Sequence, residues 1–336
     1  MLVDGGIGSD LVRAAEAAAG QEALGFDGLW AAETNHDPFL ALTLAAEHTE
    51  RIQLGTGIAV AFARSPMTLA TTAYNLNAFA EGRFLLGLGS QIKAHITRRF
   101  SMPWSHPAPR MKEFISAMQA IWGSWEAGTK LDFRGDFYEH TLMTPFFNPG
   151  ANEFGAPKVF LAAVGELMTK VAGEVADGLL CHGFTTESYL REVTLPAIGR
   201  GLDASRRTRS DIELSLPAFI VSGTTEEELA AAAKSVREQI AFYGSTPAYR
   251  GVLEHHGWGD LQTELNAMSK DGRWVDMGER IDDEMLAAFA VVAEPDEVAG
   301  ELLKRFGDVV DRLSFYMPYR AAPELLTATV EQLRSA

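Results

Sequence analysis

The sequence predicts an α/β chain whose parallel strands close into a (β/α)8 TIM barrel, with insertions after strand 4 and before strand 8. Three observations carry that expectation. Apolar runs of strand length alternate with segments of helical period, the pattern of a parallel sheet with helical crossovers. The strand-length runs number eight, which is the count that closes such a barrel. A chain of 336 residues is long for an ordinary domain but normal for one barrel around one core. The chain therefore reads as a single domain over 1–336, with a helical insertion at about 242–286.

The predicted strands are 2–4, 28–33, 52–60, 83–88, 158–163, 178–181, 212–221 and 311–316. Among the intervening helices the clearest stripe is Met111, Phe114, Ile115, Met118, Ile121, Trp122 and Trp125, spaced three or four apart to cover the barrel wall. After the first helix, Gly25 can take the left-handed conformation that ends a helix before the chain turns into a strand. Pro295 at a helix start and Gly307 past its end repeat that punctuation, and Leu325, Leu326, Thr329, Val330 and Leu333 form the closing helix. Two connections are longer than a minimal barrel needs, 90–108 and 242–286, and are expected to cover the mouth or an oligomer contact. The second places Tyr243, Tyr249, His255, His256, Trp258 and Trp274 among glycines and charges, which suggests an ordered excursion.

Apolar residues at 47% and charged residues at 22% describe a compact globular chain. A formal charge of −16 disfavours attraction to nucleic-acid backbones or anionic lipid. Cys181 is the only cysteine, so an intrachain disulfide and a cysteine metal cage are excluded, and a reducing compartment is expected. No uninterrupted apolar run reaches membrane-span length, and residues 1–8 lack the basic start and apolar run of a secretion signal. The expected location is cytoplasmic.

Four segments in order carry a family resemblance. They are Leu24-Gly25-Phe26-Asp27-Gly28-Leu29-Trp30; Asp37-Pro38-Phe39; Thr49-Glu50-Arg51-Ile52-Gln53-Leu54-Gly55-Thr56-Gly57-Ile58; and Glu81-Gly82-Arg83-Phe84 running into Leu86-Gly87-Leu88-Gly89. Together they resemble the luciferase-like monooxygenase superfamily. The stretch Gly89-Ser90-Gln91-Ile92-Lys93-Ala94-His95-Ile96, followed by Arg98-Arg99-Phe100, resembles its actinobacterial subgroup that uses coenzyme F-420, a deazaflavin.

That resemblance implies a nonproline cis peptide at the end of the third strand, at Gly57-Ile58, bulging against the cofactor ring with Val60 close by. On spacing alone Gly57 reads as a tight spot in a barrel strand, and it is the resemblance that favours the cis peptide. The resemblance also implies an acid-histidine pair after the second strand, which points to Glu33 and His36 as catalytic candidates. The family's adjacent pair falls on Glu33 and Thr34, so His36 lies two residues late. Glu33 reads either as a cofactor hydrogen-bond partner or as a member of an internal ion pair. Related sugar-phosphate dehydrogenases carry a glutamate where this chain has Ile92, which argues against a sugar-phosphate substrate and leaves His36 or His95 for proton transfer.

Further cofactor contacts are expected at Gly89, Ser90 and His95, and at Ala162, Ala163 and Gly165, where small residues and a helix start admit a ligand backbone and a phosphate. Lys93, Arg98 and Arg99 form a cationic cluster that either holds an anionic tail or is solvated surface. Cys181 and His182 sit at the end of the sixth strand with no catalytic role assigned. Phe62, Trp104, Tyr249 and Trp258 are candidates for a hydrophobic pocket wall.

The expected activity is hydride transfer between F-420 and a small organic substrate. Alternatives are an FMN-dependent monooxygenase on the same barrel and a flavin-free, non-enzymatic barrel subunit. A metal hydrolase is disfavoured, because His255 and His256 are adjacent and would point apart and no His-x-His stands at the first strand. Relatives in the family imply a homodimer.

Overall fold

A computed structural model of the chain describes residues 1–8 and 10–335. Its strands are β1 (Leu2–Ile7), β2 (Gly28–Ala31), β3 (Gln53–Thr56), β4 (Phe84–Gly89), β5 (Lys158–Ala163), β6 (Gly178–Cys181), β7 (Glu213–Val221) and β8 (Arg312–Tyr316). Each pairs in parallel with the next, and β8 returns to β1 with Leu2 opposite Arg312 and Asp4 opposite Ser314. Eight parallel strands thus close into a barrel, which leaves no open edge between the first strand and the last. All eight predicted strands are present. The third is interrupted: Ala59–Val60 pairs separately with β4, and the Gly57-Ile58 peptide between the two pieces is cis.

Crossover helices supply the outer layer. Pro107–Ala127 buries the whole predicted stripe, from Met111 to Trp125, against the barrel wall. Gly25 has φ +89°, as the turn into β2 requires. Residues 242–286 contain the helices Arg250–His255, Gly259–Lys270 and Trp274–Gly278, followed by Asp283–Phe289. They enclose a second apolar cluster with Val236, Ile240, Val252, Leu253 and Leu265 over the ends of β6 and β7. Two details differ from expectation. Pro295 lies in the turn before the helix Val298–Phe306 rather than opening it, and Gly307 ends that helix with φ −63°, so its left-handed freedom is not used. A further excursion, 128–157, carries a small hairpin of Phe133–Arg134 against Glu139–His140.

The base of the barrel is closed by buried charge. Arg312, 1% exposed, donates from Nε and Nη2 to both oxygens of Asp4, 0% exposed, each at 2.8 Å. Its Nη1 reaches Gln53 Oε1 at 2.7 Å and Glu213 at 3.4 Å, and Glu213 in turn pairs with Lys158 at 2.6 Å. Trp30 Nε1 also donates to Asp4 Oδ2 at 2.8 Å, so both oxygens of that carboxylate are engaged. Above this layer the Trp30 and Phe160 rings meet edge to face with centroids 5.6 Å apart. The lower barrel is therefore a solid plug, and only its upper, C-terminal end is open. Among the described residues no helix is long and apolar enough to cross a membrane.

Candidate active site

Side chains on a strand alternate, so the inward positions above the plug follow from those inside it. On β1 to β5 these upper positions are Gly6, Ala32, Gly57, Gly89 and Ala162, which together carry no side chain beyond a methyl. Solvent reaches Gly6 and Ala32. One turn lower, a Cβ on Gly87 would lie 1.8 Å from the Thr56 carbonyl oxygen, so only glycine allows β3 and β4 to approach as they do. A Cβ on Gly89 would lie 2.4 Å from Ile58 Cδ1, which places the Ile58 side chain directly over that glycine. Half of the mouth is consequently a shallow, smooth seat. Gly57, Ile58, Gly89 and Ala162 lie together there, with Val60 buried behind it.

The loop after β2 is tied down rather than free. Glu33 Oε2 accepts from the Val60 amide at 2.8 Å and from Arg64 at 2.7 Å, with the two side chains 8% and 18% exposed. Arg64 also meets Asp37 at 3.3 Å, and Asp37 caps the helix Pro38–Glu47 by accepting from Phe39 N at 2.8 Å. The ion-pair alternative for Glu33 is thus the one found: its Oε2 holds the loops after β2 and β3 together. His36 is exposed at the rim and has no hydrogen bond or ion pair among the described residues. It retains both ring nitrogens for a ligand.

After β4 the chain makes a wide helical turn, His95–Arg99, anchored by buried Ile96. His95 and Arg98 point to solvent, and Lys93 and Arg98 have no acidic partner among the described residues. Arg99 differs, because its guanidinium donates to the Thr34 carbonyl and stacks over Phe100, so it stitches this turn to the loop after β2. The Ser90 hydroxyl donates to Gln91 O at 3.1 Å, and Ile92 beside it is half exposed and brings no acid to this turn. After β5, exposed Gly165 caps the helix Glu166–Val175, leaving first-turn amides open at the rim beside Ala163.

The other half of the mouth is aromatic. At the end of β6, His182 Nδ1 accepts from the Phe184 amide at 3.0 Å, and Nε2 faces the Tyr249 hydroxyl at 3.2 Å. Its ring packs against Tyr243 and Tyr249, each with centroids 4.6 Å away. Tyr243 and Tyr316 share a hydroxyl hydrogen bond of 2.6 Å, and Tyr316 stacks on Phe219. Burial holds His182 down to about 4, far below an ordinary histidine. The same cause pushes the Tyr249 hydroxyl up to about 12 and raises Tyr316, whose hydrogen bond to Tyr243 adds to the effect. Cys181 is buried and pushed up to about 12, which leaves an unreactive thiol.

Tyr243 and Tyr316 were the residues sequence reasoning missed as a site. Counting by twos from Arg312 places Tyr316 on the inward face, which is the signal that was available. Conversely Phe62 is fully buried, in a T-shaped contact with Trp104 and with the Arg110 guanidinium over its ring, so it belongs to the core and not to a pocket wall. Trp258 stacks on His256 within the insertion's own cluster.

The depressed histidine has a measurable consequence. An unfolded histidine binds its proton below about pH 6.5, whereas native His182 does so only below about 4. Stability from this residue is therefore full above pH 6.5 and is lost as pH falls towards 4, by up to about 3 kcal/mol. Thermal melts between pH 7 and 4 should show a steeper decline for the native chain than for His182→Phe; identical slopes would contradict the burial of a neutral ring.

Comparison with known proteins follows this geometry. The family model for luciferase-like monooxygenases matches residues 3–312, and the chain belongs to that family. It is 54% identical over 335 residues to an uncharacterized protein of Mycobacterium tuberculosis, covering 99% of this chain and 98% of that one. It is 28% identical over 280 residues to the 5,10-methylenetetrahydromethanopterin reductase of Methanolobus tindarius, covering 82% and 81% respectively. In three dimensions it is similar to the coenzyme F-420 dependent tetrahydromethanopterin reductase of Methanopyrus kandleri, with TM-score 0.81, 20% identity and 99% and 98% of the two chains covered. The EDTA monooxygenase of Chelativorans sp. BNC1 shares the fold at TM-score 0.73 and 15% identity, with 99% and 92% covered.

Proposed function

We propose that this protein is an F-420-dependent oxidoreductase that transfers a hydride between the deazaflavin and a small organic substrate held in the barrel mouth. The observation that carries this reading is the seat formed by Gly6, Ala32, Gly57, Gly89 and Ala162, with no side chain larger than a methyl, bordered on the β4 side by Lys93 and Arg98, which have no acidic partner among the described residues. A flat polycyclic ring needs such a surface, and an anionic tail needs such a border. The family membership and the reductase relative support the same reading.

The residues present fit the cofactor at three places. Ile58 and Gly89 form the floor against which a ring face can lie. Lys93 and Arg98 attract a negatively charged tail, and the open amides at the start of Glu166–Val175 can accept a phosphate. When bound, the deazaflavin supplies two-electron hydride chemistry and little oxygen activation. The protein's own contribution is to hold the seat rigid through the Glu33, Arg64 and Arg99 ties, to exclude water below it with the Trp30–Phe160 plug, and to offer polar groups at the rim. Ile92 supplies no acid after β4, so proton transfer falls to other side chains.

The test is a titration of the purified protein with F-420 and, separately, with FMN, followed by fluorescence quenching. The expected result is F-420 affinity at least about tenfold above that for FMN. Tight FMN binding with no F-420 uptake would replace this reading by a flavin monooxygenase, and uptake of neither would favour a non-enzymatic subunit. Arg98→Glu should weaken F-420 binding about twofold to fivefold at low salt and have little effect at high salt, as expected for an exposed charge.

A further inference from the structure

The tautomer of His182 is decided by its surroundings. Its Nδ1 accepts a hydrogen bond from the Phe184 backbone amide at 3.0 Å, and an amide can only donate. The single proton of the neutral ring therefore sits on Nε2, which points at Tyr249 Oη 3.2 Å away. Tyr249 must accept that bond with a lone pair, so its own O–H is directed elsewhere. Among the described residues that proton meets no acceptor. The Tyr243–Tyr316 pair behaves alike: whichever hydroxyl donates across the 2.6 Å contact, the accepting one keeps a proton to give. Two hydroxyl donors thus belong to one aromatic group, in which the Tyr243 and Tyr249 ring centroids are 6.0 Å apart.

No charged side chain hydrogen-bonds or pairs with His182, Tyr243, Tyr249 or Tyr316 among the described residues. A carboxylate placed here would lose its hydration without gaining a countercharge, whereas a neutral carbonyl oxygen needs only donors. We propose that the Tyr249 hydroxyl, aimed by His182, binds the carbonyl oxygen of a neutral aldehyde or ketone, which makes carbonyl compounds the substrate class of this enzyme. Tyr249 is the residue that touches substrate, and His182 is a positioning residue. The reduction step rests on the cofactor reading above. In it the carbonyl carbon takes the hydride, with both its electrons, that the reduced deazaflavin loses. The C=O π pair moves to oxygen, the Tyr249 O–H proton completes the alcohol, and solvent returns a proton to the tyrosine. Burial raises the Tyr249 hydroxyl and keeps it protonated at neutral pH, yet a phenol remains a stronger acid than the alcohol formed, so its proton moves to the oxygen once negative charge develops there.

The oxygen site can be tested without any cofactor, using para-dimethylaminocinnamaldehyde, whose absorption moves to longer wavelength when its carbonyl oxygen accepts a hydrogen bond. The native chain should bind it with a red shift. Tyr249→Phe, which keeps the ring, should lose the shift and bind about tenfold more weakly. His182→Gln, whose side-chain amide can still reach Tyr249, should retain most of the shift. His182→Asn, which reaches only the Phe184 amide, should lose it. Circular dichroism verifies that each variant is folded. A shift unchanged in folded Tyr249→Phe, or no binding by the native chain, would overturn the proposal. A Tyr249-dependent shift in a protein that takes up no F-420 would sustain the carbonyl site and remove the cofactor reading instead.

Discussion

Replacing Asp4 by alanine should destabilise the barrel by about 3 to 5 kcal/mol, the cost of leaving one partner of a buried pair uncompensated. Arg312 would keep its charge at 1% exposure with two of its three strongest hydrogen bonds gone. The remaining contacts, Gln53 at 2.7 Å and Glu213 at 3.4 Å, come from one side only, and Glu213 is already shared with Lys158. Since whole-protein stability is commonly about 5 to 15 kcal/mol, such a loss should lower the melting temperature by many degrees. The double variant Asp4→Ala with Arg312→Leu removes the orphaned charge and should recover a large part of the deficit. A single variant that costs less than about 1 kcal/mol would mean that Glu213 alone neutralises Arg312. The experiment reads equilibrium unfolding by urea and thermal melts side by side.

Ala162→Leu should have the converse profile, with the fold kept and the ligand lost. Ala162 points into the seat from β5 and is only partly buried, so an isobutyl group there extends towards solvent rather than into the packed plug. It would occupy the space assigned to the cofactor ring and weaken F-420 binding roughly tenfold to a hundredfold. The melting temperature should stay close to that of the native chain. Native-like F-420 affinity in this variant would place the ring elsewhere in the mouth. The comparison of the two variants also separates the two ends of the barrel: the lower carries stability, the upper carries ligand.

Much of this architecture is legible in the sequence because barrels repeat a local pattern. Each strand is a short apolar run and each crossover a helical stripe, so all eight strands and the Met111 to Trp125 stripe follow from neighbours a few residues apart. The smooth seat is likewise visible as glycine and alanine at strand ends. What escapes is chemistry made by distance. Asp4 and Arg312 are 308 positions apart, and no periodicity links them. Tyr249 meets His182 across 67 positions, through a loop whose folding back depends on an apolar cluster of its own. Glu33 illustrates the same limit at a candidate position, since its ion pair with Arg64, 31 residues on, cannot be read from the strand end alone. The excursion at 128–157 escapes for a different reason: its strands are two residues long and leave no alternation to read.

The mouth is divided by sequence as well as by chemistry. Its smooth side comes from the ends of β1 to β5, all within the first 165 residues, and its aromatic side from His182, Tyr316 and the insertion that carries Tyr243 and Tyr249. The two sides are tied by separate sets of bonds, Glu33, Arg64 and Arg99 on one and the His182 and tyrosine contacts on the other. On the proposed reading, exchange of residues 242–286 between homologous chains should change substrate preference and leave the opposite wall intact. A barrel divided in this way could, on that reading, diversify what it acts upon while conserving the tool with which it acts.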